Sequence, residues 1–320
     1  MKTAIITGVT GQDGAYLSKQ LLDKDYVVVG VVRDKYQINT RSLQYLGIAN
    51  EIVFEEVNLS VPEQVIQLMI KHKPQVVYNL AAQSSVSLSF KEPKETLSFN
   101  IISVLNILEA IRQVDDSIRF YQASSSEMYG KVSNLPISEQ TVMHPLSPYA
   151  ISKASAHWIA VNYREAYGLF TCCGVLFNHD SYLRTSTFFT KKVLQSAIAI
   201  KKGHQDILEV GNIEVKRDFG YAPKYTEAMV LMMEKDVPDD YLICSGTSIY
   251  LREIIEYVFK SLDISMDKVR VNPDFYRPAD IENIYGVSFK AKAQLGWDYS
   301  MSYFDVLDIL IAEELENYKK

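Results

Sequence analysis

Thr3-Ala4-Ile5-Ile6-Thr7-Gly8-Val9-Thr10-Gly11-Gln12-Asp13-Gly14-Ala15 stands almost at the start of the chain, and its reading decides the fold. Thr3 to Thr7 is a short apolar run that predicts a strand, and the residues from about Ala15 to Lys24 predict a helix. Between them Gly8, Gly11 and Gly14 recur at every third position. That spacing permits a tight turn, a close approach of backbone to a pyrophosphate, and close packing of helix on strand. The unpaired amides at the helix start attract phosphate charge. Gly8, Gly11, Gln12, Asp13 and Gly14 are therefore candidate dinucleotide-binding residues, with a purely structural turn as the alternative.

Working outward, strand and helix signals alternate. Strands are expected at Tyr26 to Val32, about Ile52 to Val57, Gln75 to Leu80, Phe120 to Ser124 and Phe170 to Phe177. Helices are expected at Pro62 to Lys71, about Lys94 to Arg112, and Tyr149 to Tyr167 closed by Gly168. The order is that of an α/β doubly wound parallel sheet, a Rossmann arrangement. The second strand ends at Arg33-Asp34, where the adenosine ribose of a dinucleotide belongs. An acidic residue there suits NAD and an arginine suits the 2′-phosphate of NADP. Lys35 and Arg41 add positive charge nearby, so the reading leans to NADP, with NAD kept open by Asp34. After the fourth strand, the run Ala81-Ala82-Gln83-Ser84-Ser85 would let backbone pass close to the cofactor ribose, with Leu80, Ala81, Ala82 and Gln83 as candidate cofactor contacts and Ser84 as a candidate substrate contact.

The chemistry is expected at Ser124-Ser125-Ser126-Glu127 and Tyr149-Ala150-Ile151-Ser152-Lys153. The first group emerges where a parallel strand ends, and in the second Tyr and Lys share one helix face. A phenol with a pKa of about 10 is idle as a base at neutral pH, and a neighbouring ammonium favours the phenolate. A serine hydroxyl could then hold a substrate alcohol while Tyr149 takes its proton and the carbon releases hydride. Tyr-x-x-x-Lys on its own also occurs by chance.

Composition bounds the partners. Hydrophobic residues are 48% of the 320, ample for a core and comfortable for two domains. A net charge of -6 without a basic block argues against nucleic acid. The N-terminus runs into a strand without a signal-peptide layout, and no apolar run looks long enough to span a bilayer, so a cytoplasmic protein without a membrane partner is expected. Cys172, Cys173 and Cys244 read as buried structural thiols, and the histidines, His157 and His179 among them, lack ligand spacing, so no metal site is expected. Past Phe177 the alternation fades. Basic residues at Arg184, Lys191, Lys192, Lys216, Arg217 and Arg277 could assemble an anion pocket for a diphosphate, or form a solvated surface. The expected plan is a dinucleotide-binding domain over 1–177, re-entered at about 213–243, and a second, smaller α/β substrate domain from 178–212 and 244–320.

Together, Thr7-Gly8-Val9-Thr10-Gly11-Gln12-Asp13-Gly14, Asn79-Leu80-Ala81-Ala82-Gln83-Ser84, Phe120-Tyr121-Gln122-Ala123-Ser124, Asn162-Tyr163-Arg164-Glu165-Ala166-Tyr167-Gly168, Leu176-Phe177-Asn178-His179 and Lys216-Arg217-Asp218 resemble the GDP-mannose 4,6-dehydratases, a branch of the extended short-chain dehydrogenase/reductases. The resemblance implies a GDP-sugar substrate oxidised at C4 by a tightly held NADP, loss of water across C5 and C6, and return of hydride to C6. It implies catalytic roles for Ser125, in the place of a threonine, and for Glu127, Tyr149 and Lys153, the last two also meeting the cofactor. It places Asn178, Lys192, Arg217 and Arg277 around the GDP moiety. One carboxyl, Glu127, can take the C5 proton and then protonate the leaving C6 hydroxyl.

The departures from the family pattern are Arg33-Asp34 in place of two arginines, Val57-Asn58 in place of Gly-Asp, and Asp180-Ser181-Tyr182-Leu183-Arg184-Thr185 after His179. Asn58 can still contact adenine through its amide. The first change bears on the cofactor and on whether the implied homo-oligomer is a dimer or a tetramer. The others leave GDP-mannose and GDP-D-glycero-manno-heptose level as substrates. A C4 oxidoreductase or epimerase on the same scaffold, and a non-catalytic sugar-nucleotide sensor, are the competing readings.

Overall fold

The computed structural model describes residues 2–318. Its first part runs β1 (Lys2–Thr7), α1 (Gln12–Leu22), β2 (Tyr26–Val32), α2 (Arg41–Tyr45), β3 (Val53–Glu56), α3 (Pro62–His72), β4 (Val76–Asn79), α4 (Val86–Lys91), α5 (Pro93–Val114), β5 (Arg119–Ser125), α6 (Pro148–Tyr167) and β6 (Thr171–Leu176). There follow β7 (Asn178–Asp180), α7 (Phe189–Lys201), β8 (Leu208–Val210), β9 (Lys216–Tyr221), α8 (Ala222–Met233), β10 (Asp240–Ile243), β11 (Ser248–Tyr250), α9 (Leu251–Ser261), β12 (Val269–Val271), β13 (Asn283–Ile284), α10 (Phe289–Leu295) and α11 (Tyr303–Asn317). The strands and long helices expected up to Phe177 are present within a few residues. The short helices α2 and α4 were not foreseen, because one or two turns show no helical period.

Seven strands pair in parallel in the order β10-β6-β5-β4-β1-β2-β3. The order reverses between β1 and β4, which opens a crevice at their carboxyl ends. Alternate strand residues feed two separate layers. Ala4 and Ile6 pack with Ala15, Leu17 and Met229, whereas Ile5 packs with Val65, Ile107 and Ala160. Cys172 and Cys173 divide between the layers in the same way, and all three cysteines are buried and unpaired. Helix α6 starts where the Ser147 hydroxyl accepts the Ala150 amide and stops at Gly168 in the left-handed region.

The glycine turn is sterically compulsory. Gly8 has φ +73°, and a Cβ on Gly14 would stand 2.3 Å from Gly8 O and 2.7 Å from Val9 Cα. Gly14→Ala is expected to destabilise the fold by about 1–3 kcal/mol, read as a lower midpoint in urea, because the clash is with backbone that cannot yield by rotamer change.

Helix α5 corrects one expectation: it is long and apolar enough, by length and composition, to cross a membrane. Here it packs against α3 and α6 and buries Val104, Ile107, Leu108 and Ile111 together with Asn100 and Asn106, as a covering helix of the sheet does.

Beyond β6 the pairing changes. β9 lies between antiparallel β11 and parallel β13 and also pairs with β7, while β8 pairs with β12. Helices α7, α9 and α11 share a separate apolar cluster through Ile198, Val258 and Leu310. By contrast α8 packs on α1, and β10 extends the first sheet beyond β6. On this pairing we propose a dinucleotide unit to residue 177 with a return over 222–243, shorter than the 213–243 expected because β9 pairs in the second sheet, and a substrate unit made of the remainder except α10 and Trp297, which pack on α8 and β10.

Candidate active site

Three strand ends are tied by one polar ladder. Thr7 Oγ1 donates to Asn79 Oδ1 (2.7 Å), Asn79 Nδ2 to Gln122 Oε1 (2.9 Å), and Gln122 Nε2 to Ala123 O (3.1 Å). Thr7 Oγ1 also accepts the amides of Leu80 (3.1 Å) and Ala81 (3.0 Å). This draws the loop after β4 over the glycine turn, so that a Cβ on Gly8 would lie 3.0 Å from Ala81 N. Gly8, Gly11, Gly14 and Ala81 thus form a backbone-lined cradle at the start of α1, the kind of surface a pyrophosphate needs.

Asp13, the second residue of α1, reaches His179 Nε2 at 2.9 and 3.0 Å, while His179 Nδ1 faces Phe177 O at 2.7 Å. Burial opposes ionisation of Asp13, but His179, Arg184 and the Gln12 amide together hold it down to about 2. Gln12 bridges further, donating to His179 O (3.2 Å) and accepting from Ser181 Oγ (2.9 Å). Gln12 and Asp13 therefore join α1 to β7 across the site.

A cleft of about 400 Å³ is lined by Ser84, Ser125, Glu127, Tyr149, Lys153, Asn178, Lys192, Arg217 and Arg277, with Asp13, Leu80 and Ala82 at the same cleft. All four expected catalytic residues and all five expected substrate residues meet there. Glu127 sits on a single 3₁₀ turn, Ser126–Met128, whose start is held by Ser125 Oγ accepting the Glu127 amide (3.3 Å). Tyr149 is only 8% exposed. Burial pushes its phenol up to about 12, against a lowering contact with Ser125. Lys153 Nζ lies 5.9 Å from the Tyr149 ring centroid and donates to Ala123 O at 2.8 Å. The expectation that Lys153 by itself favours the phenolate is thus corrected: its ammonium is anchored to the strand, and burial dominates the phenol.

Burial also brings Lys153 down to about 8, opposed by Asp13. Between about pH 8 and about 10.4 the unfolded chain holds a proton that the folded chain has released, so stability from this group rises with pH across that window. The expected result is a rise of up to about 3 kcal/mol in unfolding free energy over the window, absent in Lys153→Met, measured by urea titrations of both proteins.

On the phosphate side, Arg217 is buried, donating to Ile281 O (2.6 Å), Lys216 O (2.9 Å) and Asp280 Oδ1 (2.6 Å). Burial lowers its pKa, and the charges of Glu127 and Asp280 oppose that shift. Arg277 meets the same Asp280 oxygen at 3.5 Å, so one carboxylate braces both arginines. Lys192 donates to Glu209 O (2.6 Å) and lies over Phe275. Two basic residues considered for this pocket are elsewhere: Lys191 pairs with Glu314 and Tyr182 O, and Lys216 covers the Tyr250 ring.

The outer cofactor residues are more varied. Arg33 is exposed, Asp34 Oδ1 accepts the Tyr36 amide (2.7 Å), and Asn58 Oδ1 accepts the Ser60 amide (3.0 Å). Gln83, expected at the cofactor, is engaged throughout: its backbone pairs with the Asn100 amide group and its side chain with Ser85 and Thr96. It holds the loop to α5.

Of the basic residues considered for this pocket Arg184 does reach it, whereas Asp280 and the partner of Ser124 were missed. Arg184 lines the cleft, meets Asp180 at 3.3 Å and stacks on Phe188 at 3.6 Å. Asp280 had one signal, its three-residue spacing from Arg277. Ser124 Oγ meets His157 Nδ1 at 3.0 Å, a pairing across 33 residues that no local pattern announces. The ligand-type atoms of His157, Cys173 and Asp240 lie within 4.8 Å of one another. Both Asp240 oxygens, however, are held by Arg164 (2.8 and 2.7 Å), which makes this an ion pair.

The fold is that of the extended short-chain dehydrogenase/reductases. DesIV, a dTDP-glucose 4,6-dehydratase from Streptomyces venezuelae solved with NAD, matches with a TM-score of 0.89 at 19% identity, over 99% of this chain and 98% of that one. RMD from Pseudomonas aeruginosa, solved with NADPH, matches at 0.81 and 23%, over 99% of this chain and 100% of that one. Residues 5–309 match the family described as GDP-mannose 4,6 dehydratase. GDP-mannose 4,6 dehydratase 1 of Arabidopsis thaliana is 39% identical over 330 residues, covering 100% of this chain and 91% of that protein. The chain belongs to the GDP-mannose 4,6-dehydratase family.

Proposed function

We propose that the protein is a hydro-lyase that converts a GDP-linked manno-sugar to its 4-keto-6-deoxy derivative. The observation that carries this reading is a carboxylate, Glu127, in the same cleft as Ser125, Tyr149 and Lys153. Ser125 holds the C4 hydroxyl and Tyr149 removes its proton. A nicotinamide held beside Tyr149 and Lys153 would supply the hydride chemistry, taking up hydride at C4 and releasing it at C6. The C4 ketone acidifies C5, Glu127 takes the C5 proton, the acid so formed protonates the departing C6 hydroxyl, and the proton that Tyr149 took from the C4 hydroxyl goes to C5 as hydride adds at C6. Net redox change is zero.

The cradle of Gly8, Gly11 and Gly14, where a Cβ would strike backbone, fits a dinucleotide pyrophosphate, with Gln12, Asp13, Leu80, Ala81, Ala82, Lys153 and Tyr149 beside it. NADP is proposed because Arg33 is free to meet a 2′-phosphate, with NAD the alternative through Asp34. Arg184, charged beside Asp13 and Tyr149, joins this group. Asn178, Lys192, Arg217 and Arg277 receive the GDP moiety, with Ser84 nearer the sugar. GDP-mannose and GDP-D-glycero-manno-heptose are proposed on equal terms. Of the departures at 180–185, Asp180 and Arg184 line the cleft, whereas Tyr182 is packed between Tyr45 and Lys191. A cytoplasmic homo-oligomer is proposed, and Ile102 of α5 and Ile151 and Trp158 of α6 are exposed apolar residues on adjacent helices.

Mass spectrometry of each GDP-sugar after incubation tests the reading: a product lighter by one water supports it, and a product of unchanged mass, as from an epimerase, overturns it. Denaturing the purified protein and identifying the released dinucleotide decides between NADP and NAD.

A further inference from the structure

The catalytic set proposed above is divided between two elements. Tyr149 and Lys153 belong to α6, whereas Ser125 and Glu127 belong to the end of β5 and the turn after it. Proton transfer requires these halves to keep register within a fraction of an ångström, and a displacement of about 1 Å can lower turnover a hundredfold.

The end of β5 lacks support on one side. Its pairing with β4 stops at Asn79↔Gln122, while pairing with β6 continues through Ser124↔Val175 and Ser125↔Leu176. Residues 123–125 therefore run past the last rung of β4. Side chains from α6 supply contacts there. Tyr149, Lys153 and His157 recur every fourth residue, on successive turns of one helix face. Lys153 Nζ donates to Ala123 O at 2.8 Å, and one turn later His157 Nδ1 meets Ser124 Oγ at 3.0 Å. Both members of the second pair are buried, Ser124 at 2% and His157 at 5% exposure. The imidazole has charged and polar neighbours as well. It lies by Cys173 and Asp240, and Asp240 is locked by the Arg164 fork.

We infer that His157 is a positioning residue: through Ser124 it holds the free end of β5 against α6, so that the Ser125 hydroxyl and the Glu127 carboxylate keep register with Tyr149. The inference rests on the dehydratase reading for its kinetic consequence but not for its structural one. It places no proton transfer on His157, which is out of the cleft.

The test uses Ser124→Ala, His157→Leu, His157→Asn and the double variant Ser124→Ala/His157→Leu in the full chain. The asparagine amide can take the place of Nδ1 toward Ser124. Expected are a kcat about 10- to 100-fold lower in Ser124→Ala and in His157→Leu, a KM for the GDP-sugar within twofold of the parent, recovery of most of kcat in His157→Asn, and a double variant no slower than the slower single. Hydrogen exchange followed by mass spectrometry is expected to quicken at the amides of 125–128 in Ser124→Ala and His157→Leu and to return toward the parent rate in His157→Asn. Undiminished kcat in both single variants, losses that multiply in the double, or unchanged exchange at 125–128 would overturn the inference. If the parent protein dehydrates no GDP-sugar, the functional reading fails, and the exchange rates still decide the positioning role. Ser124→Ala removes a single oxygen, so it keeps the test open should His157→Leu not fold.

Discussion

In a Glu127→Gln protein, formation of the product lighter by one water is expected to fall by about a hundred- to ten-thousand-fold, the usual range for removal of a positioned acid–base group. The amide fills the same volume and leaves the 3₁₀ turn intact, since that turn is held through the Glu127 backbone amide. It cannot accept the C5 proton, and so cannot hand one to the leaving hydroxyl. Binding is expected to survive, because Arg217 keeps Asp280 as its counter-charge when the charge of Glu127 is gone. Product mass spectrometry and a binding titration with GDP check the two halves separately. Dehydration at an undiminished rate would remove Glu127 from the mechanism, and the C4 oxidoreductase or epimerase would then be the better description.

Tyr149→Phe is expected to abolish turnover to a similar degree, about a hundred- to ten-thousand-fold, by a different route. Without the phenol the C4 hydroxyl loses the base proposed for its proton, so both oxidation and the water loss that follows it are expected to fall. The direction of the pH dependence follows from the site. Burial pushes Tyr149 up to about 12, so the phenolate is a minor species at neutral pH, and it grows about tenfold for each unit of pH. Turnover of the parent is expected to rise with pH from the acid side until some other step limits it, and the residual turnover of Tyr149→Phe is expected to lack that rise. Initial rates across pH 5 to 9 for both proteins check this. A parent profile flat over that range would mean that phenol ionisation does not limit the rate.

Both predictions depend on placement that the sequence announced only in part. The glycine turn could be read because it is local: three glycines between a strand and a helix impose steric and electrostatic conditions within twelve residues. The Tyr-x-x-x-Lys pair was equally local, being one turn of one helix. The behaviour of that pair was not. A neighbouring ammonium favours a phenolate in water-like surroundings, yet α6 lies against the sheet, desolvates Tyr149 and Lys153 together, and turns the ammonium onto Ala123 O. The basic residues after Phe177 divided for the same reason. Lys192, Arg217 and Arg277 reach the cleft, while Lys191 and Lys216, each next to one of these in sequence, face away because neighbouring positions in a helix or strand point in different directions.

Short-range pattern was sufficient for the alternation of strand and helix up to Phe177 and for the glycine turn, because each rests on residues close in sequence whose spacing alone constrains the backbone. The tertiary structure alone decided which polar groups are braced, by Asp280 under Arg217 and Arg277, by His179 against Asp13 and by His157 against Ser124. Of these only Arg277 and Asp280 are near in sequence; the other pairings cross 33 to 166 residues. They exist because the fold packs distant elements side by side, α1 against β7, α6 against β5 and β9 against the segment leading into β13, a proximity that no local spacing encodes.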